Sequence, residues 1–544
     1  MNLLIKNGFI VDGTGSPGYE ADILIQDDKI KKIGTNLKEN GFKVIDASNK
    51  VVAPGFIDMH NHGDFTILEV NKAEPTIRQG ITTLVIGMCG LGMAPANEKV
   101  RKYYSNYVTK IFTLGMQLFD TLQDYMAEIE KKGVSSNLVF FVPQGNVRAC
   151  VLGMEDRPAT QKEMEKMKEI IRKDMDAGAF GLSTGLIYPP GSITQTEEII
   201  ELCKIVNEYD GIYDSHMRNE GTGILEEGIG EVIKIAKVSN IRAHISHLKA
   251  GSSFAWKKTP EIINLIRSAQ KEGIYIHADL YPYEESSTSL SGALLKPWVY
   301  EEFEGNLTNP ETRKRIIDET FELIFSTFLP DMPFVIRLIP KLIIKKIIIS
   351  VVKKYMRIIS VLNNHHIEGK FLGEAIKILY PKKKFVEALL DFIRDEKGSI
   401  MITFKQMSEQ KSILQLFEQE FVCVGSDGFL VVDFNTHPRS YGTFPRILSR
   451  YVREKNIVSL EEAIRKMTSL PASILDLNDR GIVKPNYKAD IVIFDPETIQ
   501  DKATYENGRQ YPIGIDYVIV NGEITVEKGK HLGTLRGEIL KHKK

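Results

Sequence analysis

Five short apolar runs in this chain each end in a residue type that binds transition metals, and no other feature limits the fold as strongly. His60 and His62 close APGFIDMHNH, Cys89 follows TTLVIGM, His216 ends GIYDSH, His247 ends RAHISH, and Asp427 ends FVCVGSD. Each run has the length and the apolar, β-branched content of a strand buried on both faces. Parallel strands that stop at a common level present their last side chains along one rim, where α/β proteins place their sites. Imidazole, thiolate and carboxylate on such a rim make a ligand set for a zinc-type cation.

The rhythm around these runs extends the argument. Eight candidate strands can be read, at 51–59, 82–87, 137–143, 179–184, 211–215, 242–247, 274–281 and 421–426. Helical patterns with charged faces, such as EMEKMKEIIRKDMDAG, separate them. Eight strands in strict alternation predict an α/β fold of the (β/α)8 TIM-barrel type; a doubly wound open sheet is the alternative. The two chain ends read differently. LLIKNGFIVDG and ADILIQDDKI near the start, and ADIVIFDPET and DYVIVNGEITVEKGK near the end, are strand-like runs with Gly, Asp and Asn turns. They predict a small composite β-sandwich from residues 1–52 and 477–544, with the barrel spanning 53–476.

One segment departs from the rhythm. Between the seventh and eighth candidate strands lies a long connection, read as a helical insertion around 300–410. Its stretch 321–360 is apolar, basic and free of glycine. Proline and lysine interrupt it before it reaches the roughly 20 apolar residues of a membrane span. It is read as packing or as a lid over the barrel mouth, with contact to a membrane surface as a further reading.

Lys and Arg total 70 against 71 Asp and Glu, so no net field favours nucleic acid. Four scattered cysteines in apolar surroundings, and a start without a signal-peptide core, predict a reducing, cytoplasmic setting. Oligomeric state is left open.

His60 and His62, spaced i, i+2 at a strand end, leave one face of the strand and can reach one ion. A lone buried histidine is ordinarily a core residue; a pair at a strand terminus is not. The strings APGFIDMHNHGD, RQGITTLVIGMCG, STGLIYPPG, YDSHMRNE, LYPYEESST, VGSDG and HPRSYGTFPRILSRYVRE together resemble the D-aminoacylase / N-acyl-D-amino-acid deacylase family of the amidohydrolase superfamily. The resemblance implies one tight zinc ion with a second, weaker one. It implies that His60 and His62 hold the first position, that Cys89 bridges, and that His216 and His247 complete the tighter position. The segment GAFGLSTGL has no lysine, which agrees with a cysteine taking the bridging place. Asp427 is the candidate general base as well as a ligand. Lys249, two residues past His247 and read on the same strand face, is a candidate for the substrate carboxylate; by resemblance Tyr188, Tyr283 and Ser287 join it. His277 and Asp279 are read as structural, while His437 and Arg439 are near the site without an assigned role. Two positions depart from the family: Met88 stands where Asn is usual and Asn61 where Thr is usual.

The implied reaction is zinc-dependent hydrolysis of the linear amide of a small N-acyl-amino acid. Cyclic-amide opening of the dihydroorotase or hydantoinase kind, and a metal-free structural barrel, are the competing readings.

Overall fold

The computed structural model describes residues 2–38, 40–108, 116–328 and 339–543. The alternating runs from the two ends of the chain join one sheet. β1 (Leu3–Ile10), β2 (Tyr19–Gln26), β3 (Lys29–Gly34), β4 (Lys43–Asp46) and β5 (Val51–Pro54) come from the start. β17 (Ile491–Phe494), β18 (Ile515–Val520), β19 (Glu523–Glu527) and β20 (Lys530–His531) come from the end. The order is β20-β19-β18-β17-β5-β1-β2-β3, with β4 also on β1. The sheet divides at β1: Leu3 to Lys6 pair with β4, whereas Phe9 and Ile10 pair with β5. An irregularity between Ile5 and Gly8 allows this change of partner. A side chain at position 8 would meet Val52 at 2.5 Å, so glycine is required there. Ile5, Ile23, Ile45, Ile491 and Ile519 form part of the shared apolar core.

The second sheet is the barrel. β6 (Phe56–Asp58), β7 (Ile81–Ile86), β8 (Asn137–Pro143), β9 (Gly181–Gly185), β10 (Ile212–His216), β11 (Arg242–Ile245), β12 (Ile276–Leu280) and β16 (Val422–Val424) neighbour one another in chain order, all parallel. The ring is completed by single backbone bonds, Met59 N to Val424 O at 3.1 Å and Asp427 N to His60 O at 2.8 Å. The run read as one strand, 51–59, is two. Val51–Pro54 belongs to the terminal sheet, where it pairs with β1 and β17, and the chain enters the barrel after Gly55. A Cβ at Gly55 would lie 2.3 Å from the Thr82 side chain, so only glycine allows the two sheets to approach this closely.

The insertion expected to be helical also carries a sheet. β13 (Glu285–Ser289), β14 (Arg357–Val361) and β15 (Ile400–Lys405) form an antiparallel layer in the order β13-β15-β14. β14 follows the helix Lys341–Tyr355 after Met356 alone, so no turn residues mark the change from helix to strand. The other long helix is Pro310–Phe328. Residues 329–338, part of the apolar stretch 321–360, lie outside the described residues. No helix among the described residues is long and apolar enough to cross a membrane.

Candidate metal centre and active site

The six residues singled out by their place at strand ends come together at the barrel mouth. Cys89 Sγ lies 3.4 Å from His60 Nε2, 3.5 Å from His216 Nδ1 and 3.7 Å from His247 Nε2. On the other side of His60, Asp427 Oδ1 lies 3.3 Å from His62 Nε2 and 3.7 Å from His60 Nε2. All six are buried. Cys89, His247 and Asp427 have φ of 54°, 35° and 50°, in the left-handed region that L-residues seldom adopt. Such strain persists only where surrounding structure fixes it, and it gathers at functional sites.

The donor chemistry fits a cation. Three imidazole nitrogens and one sulfur, each able to give a lone pair to a cation, converge around Cys89. Burial lowers His216 and His247 well below the ordinary histidine value, leaving neutral rings with a lone pair to give. Burial likewise pushes the Cys89 thiol up to about 11. His60 differs: burial opposes its protonation, but Cys89 and Asp279 beside it hold it well above the ordinary value. A bound cation would replace that proton and bring Cys89 to the thiolate. Two overlapping groups result, His60, His62 and Asp427 on one side, and His60, Cys89 and His247 on the other, with His216 beside the second.

A layer of carboxylates supports these ligands. Asp279, read from the sequence as structural, is buried directly beneath them. Its Oδ1 accepts the His247 backbone N–H at 3.0 Å. Its Oδ2 lies 3.0 Å from His244 Nε2 and 3.7 Å from His60 Nδ1. Burial works against its charge, but His244 and His60 hold the carboxyl well below the usual range. Asp58 accepts the Ser426 backbone N–H at 2.7 Å and an Asn61 side-chain N–H at 2.8 Å, which ties the first ligand loop to the last. Carboxylates behind metal-binding imidazoles fix ring orientation.

Glu220 was not singled out from the sequence. It lies four residues past His216, 3.0 Å from His247 Nδ1 and 3.3 Å from Lys249 Nζ. Lys249 is therefore paired, and its ammonium is held above the ordinary lysine range by Glu220 despite burial. The reason given for its placement also changes. β11 ends at Ile245, so His247 and Lys249 lie on the loop beyond it rather than on one strand face. Arg439, near the site without an assigned role, forms an ion pair with Asp427 Oδ2 at 2.8 Å. Its guanidinium also lies 4.8 Å over the Tyr281 ring. Burial opposes ionisation of Asp427, yet Arg439 and His62 hold its carboxyl well below the usual range.

A cavity of about 330 Å³ opens above these groups. Tyr188 and Ser287 line it, as expected, and Ser287 arrives on β13 of the insertion. Tyr283 does not line it. Its hydroxyl lies 3.5 Å from Pro438 O, its ring faces His437 at 5.5 Å, and Arg446 lies 4.7 Å over it. The tyrosine of that segment nearest the two cations is Tyr281, two residues earlier. His437 Nδ1 accepts the Arg439 backbone N–H at 3.1 Å and so sets the loop that carries Arg439.

Comparison with known proteins agrees with this geometry. The model of the amidohydrolase family matches residues 43–190 and 419–526, which include His60, His62, Cys89 and Asp427. The D-aminoacylase of Alcaligenes xylosoxydans xylosoxydans is 30% identical, with 99% of this chain and 97% of that protein covered. The N-acyl-D-glutamate deacylase of the same organism is 29% identical over 96% and 93%. A crystal structure of N-acyl-D-glutamate deacylase from Bordetella bronchiseptica, complexed with zinc and a phosphonate mimic of the tetrahedral intermediate, superposes with a TM-score of 0.82. It is 28% identical over 99% of both chains. The chain belongs to the D-aminoacylase family of the amidohydrolase superfamily.

Proposed function

We propose that the protein hydrolyses the linear amide of N-acyl-D-amino acids, using a zinc-type ion, and that His60, His62, Cys89, His216, His247 and Asp427 hold the metal. The observation that carries this is the gathering of all six into two overlapping buried groups that share His60, at the mouth of a family barrel. When bound, the cation supplies Lewis acidity, making water acidic near neutral pH and polarising an amide carbonyl. Asp427 is placed to take the proton of the attacking water at Oδ1. Arg439 on Oδ2 fixes the orientation of the carboxylate. As the C–N bond breaks, the same oxygen returns the proton to the departing amine nitrogen. Tyr188 and Ser287 border the space where the acyl group and its amide lie. Lys249, paired with Glu220, and Arg439, paired with Asp427, flank the place for the α-carboxylate.

The cavity also bears on which amino acid is released. D-aminoacylase and N-acyl-D-glutamate deacylase are equally distant relatives, so identity does not choose between their substrates. Among the described residues that line the cavity, Lys249 and Arg439 are the only Lys or Arg, and each already faces a carboxylate. With one divalent ion and a Cys89 thiolate, these groups carry a formal charge of about plus one, which a single substrate carboxylate neutralises. Leu91, Val108, Ile187, Met401 and Phe404 form apolar wall. A neutral, apolar side chain suits this pocket, and a second carboxylate does not.

The test is amine release from paired N-acetyl-D- and N-acetyl-L-amino acids by the zinc-loaded protein. Turnover of the D-forms of leucine, methionine and phenylalanine is expected above that of D-glutamate and D-aspartate. Preference for the L-forms, or for hydantoins, would overturn the reaction; preference for acidic D-substrates would overturn only the pocket reading.

A further inference from the structure

The insertion helix Lys341–Tyr355 has a surface that the barrel chemistry leaves unused. Among its apolar residues only Ile344 is fully buried, packing with Phe321 and Phe325 of helix Pro310–Phe328. Ile343, Ile347, Val351 and Tyr355, at i, i+4 spacing, form an outward stripe and are 48, 49, 49 and 55% exposed. Leu342 beside them is 67% exposed. The helix contains five lysines and no acidic residue. Lys346, Lys353 and Lys354 are exposed, and among the described residues none of them has a carboxylate within ion-pair distance, though Lys353 lies 4.7 Å over the Phe385 ring. Lys353 and Lys354 also line an open groove of about 710 Å³ with Lys377, and Glu374 is its one acidic wall residue.

Four large apolar side chains in a row are costly to leave in water. A lysine-bordered apolar stripe on a helix too short and too charged to span a bilayer has the form of an interfacial helix. We propose that this helix docks the protein on an anionic lipid surface, with the stripe entering the acyl boundary and the lysines meeting the headgroups. Charge decides among the occupants. A second copy would bring two basic faces together, and a soluble polyanion would leave the apolar stripe in water. An anionic bilayer satisfies both parts. The proposed docking face is connected to the site, because Leu323, on helix Pro310–Phe328 against which this helix packs, lines the catalytic cavity. The docking reading does not depend on the reaction.

The experiment is co-sedimentation of the full-length, zinc-loaded protein with vesicles of phosphatidylcholine alone or with 30% phosphatidylglycerol, a composition of roughly cellular anionic content. Binding is expected only to the anionic vesicles and should fall steeply when salt is raised, since surface charges are screened. Ile347→Glu/Val351→Glu should abolish it. Lys346→Ala/Lys353→Ala/Lys354→Ala should weaken it by about fivefold per lysine. Both variants change exposed positions, so unchanged thermal unfolding and unchanged hydrolysis of a short-chain substrate are expected. The proposal is overturned if the wild type stays in the supernatant with both vesicle types, or if the double glutamate variant binds as well as the wild type. It is also overturned if light scattering shows a wild-type dimer that the glutamate variant lacks, which would make the stripe a contact between copies.

Discussion

The barrel mouth and the outer face of the insertion depart from the ordinary distribution of residues in opposite directions. At the mouth, four histidines, a thiol, two cations and several carboxylates are buried. On helix Lys341–Tyr355, isoleucine, leucine, valine and tyrosine face water beside lysines. Buried ionisable groups require partners, and exposed apolar rows require cover. The mouth supplies most of its own partners: Arg439 for Asp427, Glu220 for Lys249 and His247, and Asp279 for His60 and His244. What remains there are two overlapping sets of converging lone pairs, a form that a small cation completes. The helix has almost no internal answer, so what it meets must be extended. The contrast teaches that the same excess of unsatisfied groups indicates a small ligand when preorganised and a surface when laid out along a helix.

The largest expected effect tests the preorganisation directly. Asp427→Asn keeps the volume and the Arg439 contact at one oxygen but loses the proton acceptor. kcat should fall by about 10²–10⁴, while a metal assay shows at least one zinc retained. Near-normal turnover would mean that the mouth's most constrained carboxylate does no proton transfer.

Next comes the support beneath the ligands. Asp279→Asn leaves the strand intact but removes the charge between His60 and His244, and zinc affinity should weaken by about 10–100-fold. Competition with a chelator measures this, and added zinc should restore turnover. If affinity is unchanged, the layer under the mouth is packing only.

Glu220→Gln frees Lys249 from its carboxylate, with a smaller and more selective result. Acidic N-acyl-D-amino acids should gain relative to neutral ones by about tenfold in kcat/KM, the effect of one added charge in a partly buried site. An equal change for both classes would show that the Glu220–Lys249 pair does not set the charge of the cavity.

The smallest effect belongs to a partly exposed cluster that lies between the two extremes. Glu409 contacts Arg450 and Lys455, each at 2.6 Å. Hydrogen bonds from Arg450, more than burial opposes, lower its carboxyl to about 2. A carboxyl lowered in the folded state contributes stability that is present above its ordinary value of 4.5 and is lost as pH falls toward 2. Glu409→Gln should therefore destabilise above pH 5 by less than about 1 kcal/mol, given its exposure. The difference from wild type should vanish by about pH 2, as read by denaturant unfolding across that window. A pH-independent difference would assign the contribution to packing.

Much of this was legible in the sequence, because the ligands stand where apolar runs stop and the runs repeat. The α/β barrel, the strands contributed by both chain ends and the strand-end places of the six mouth residues are readable from spacing, whereas the division of the six into metal positions comes only from the family resemblance. The support layer was not legible. Asp279 lies inside a strand run and Glu220 inside a polar loop, and neither position shows from the chain what its carboxylate will face. Tyr283 is expected only by resemblance; LYPYEESST holds two tyrosines two residues apart, and which of them faces the cations depends on how the chain leaves β12. The insertion's sheet was hidden by continuity: KYMRIISV passes from helix to strand without glycine or proline. The left-handed backbone of His247, which places it and Lys249 off the strand, has no marker in a residue that rarely adopts it.

The passage through Gly55 carries a consequence for how the protein is made. β5, which ends at Pro54, is held between β1 and β17, and His60 and His62 follow only a few residues beyond it. During synthesis from the N-terminus, β5 emerges early but its neighbour β17, at Ile491–Phe494, emerges more than four hundred residues later. The segment Glu538–Leu540 adds a further late tie, by exchanging backbone hydrogen bonds with Leu138 of β8. The strand that leads to His60 and His62 thus gains its second neighbour only after the whole barrel has been synthesised. A chain synthesised only as far as Asp427 carries all six metal-type residues yet lacks β17, the clamp on the strand that leads to His60 and His62.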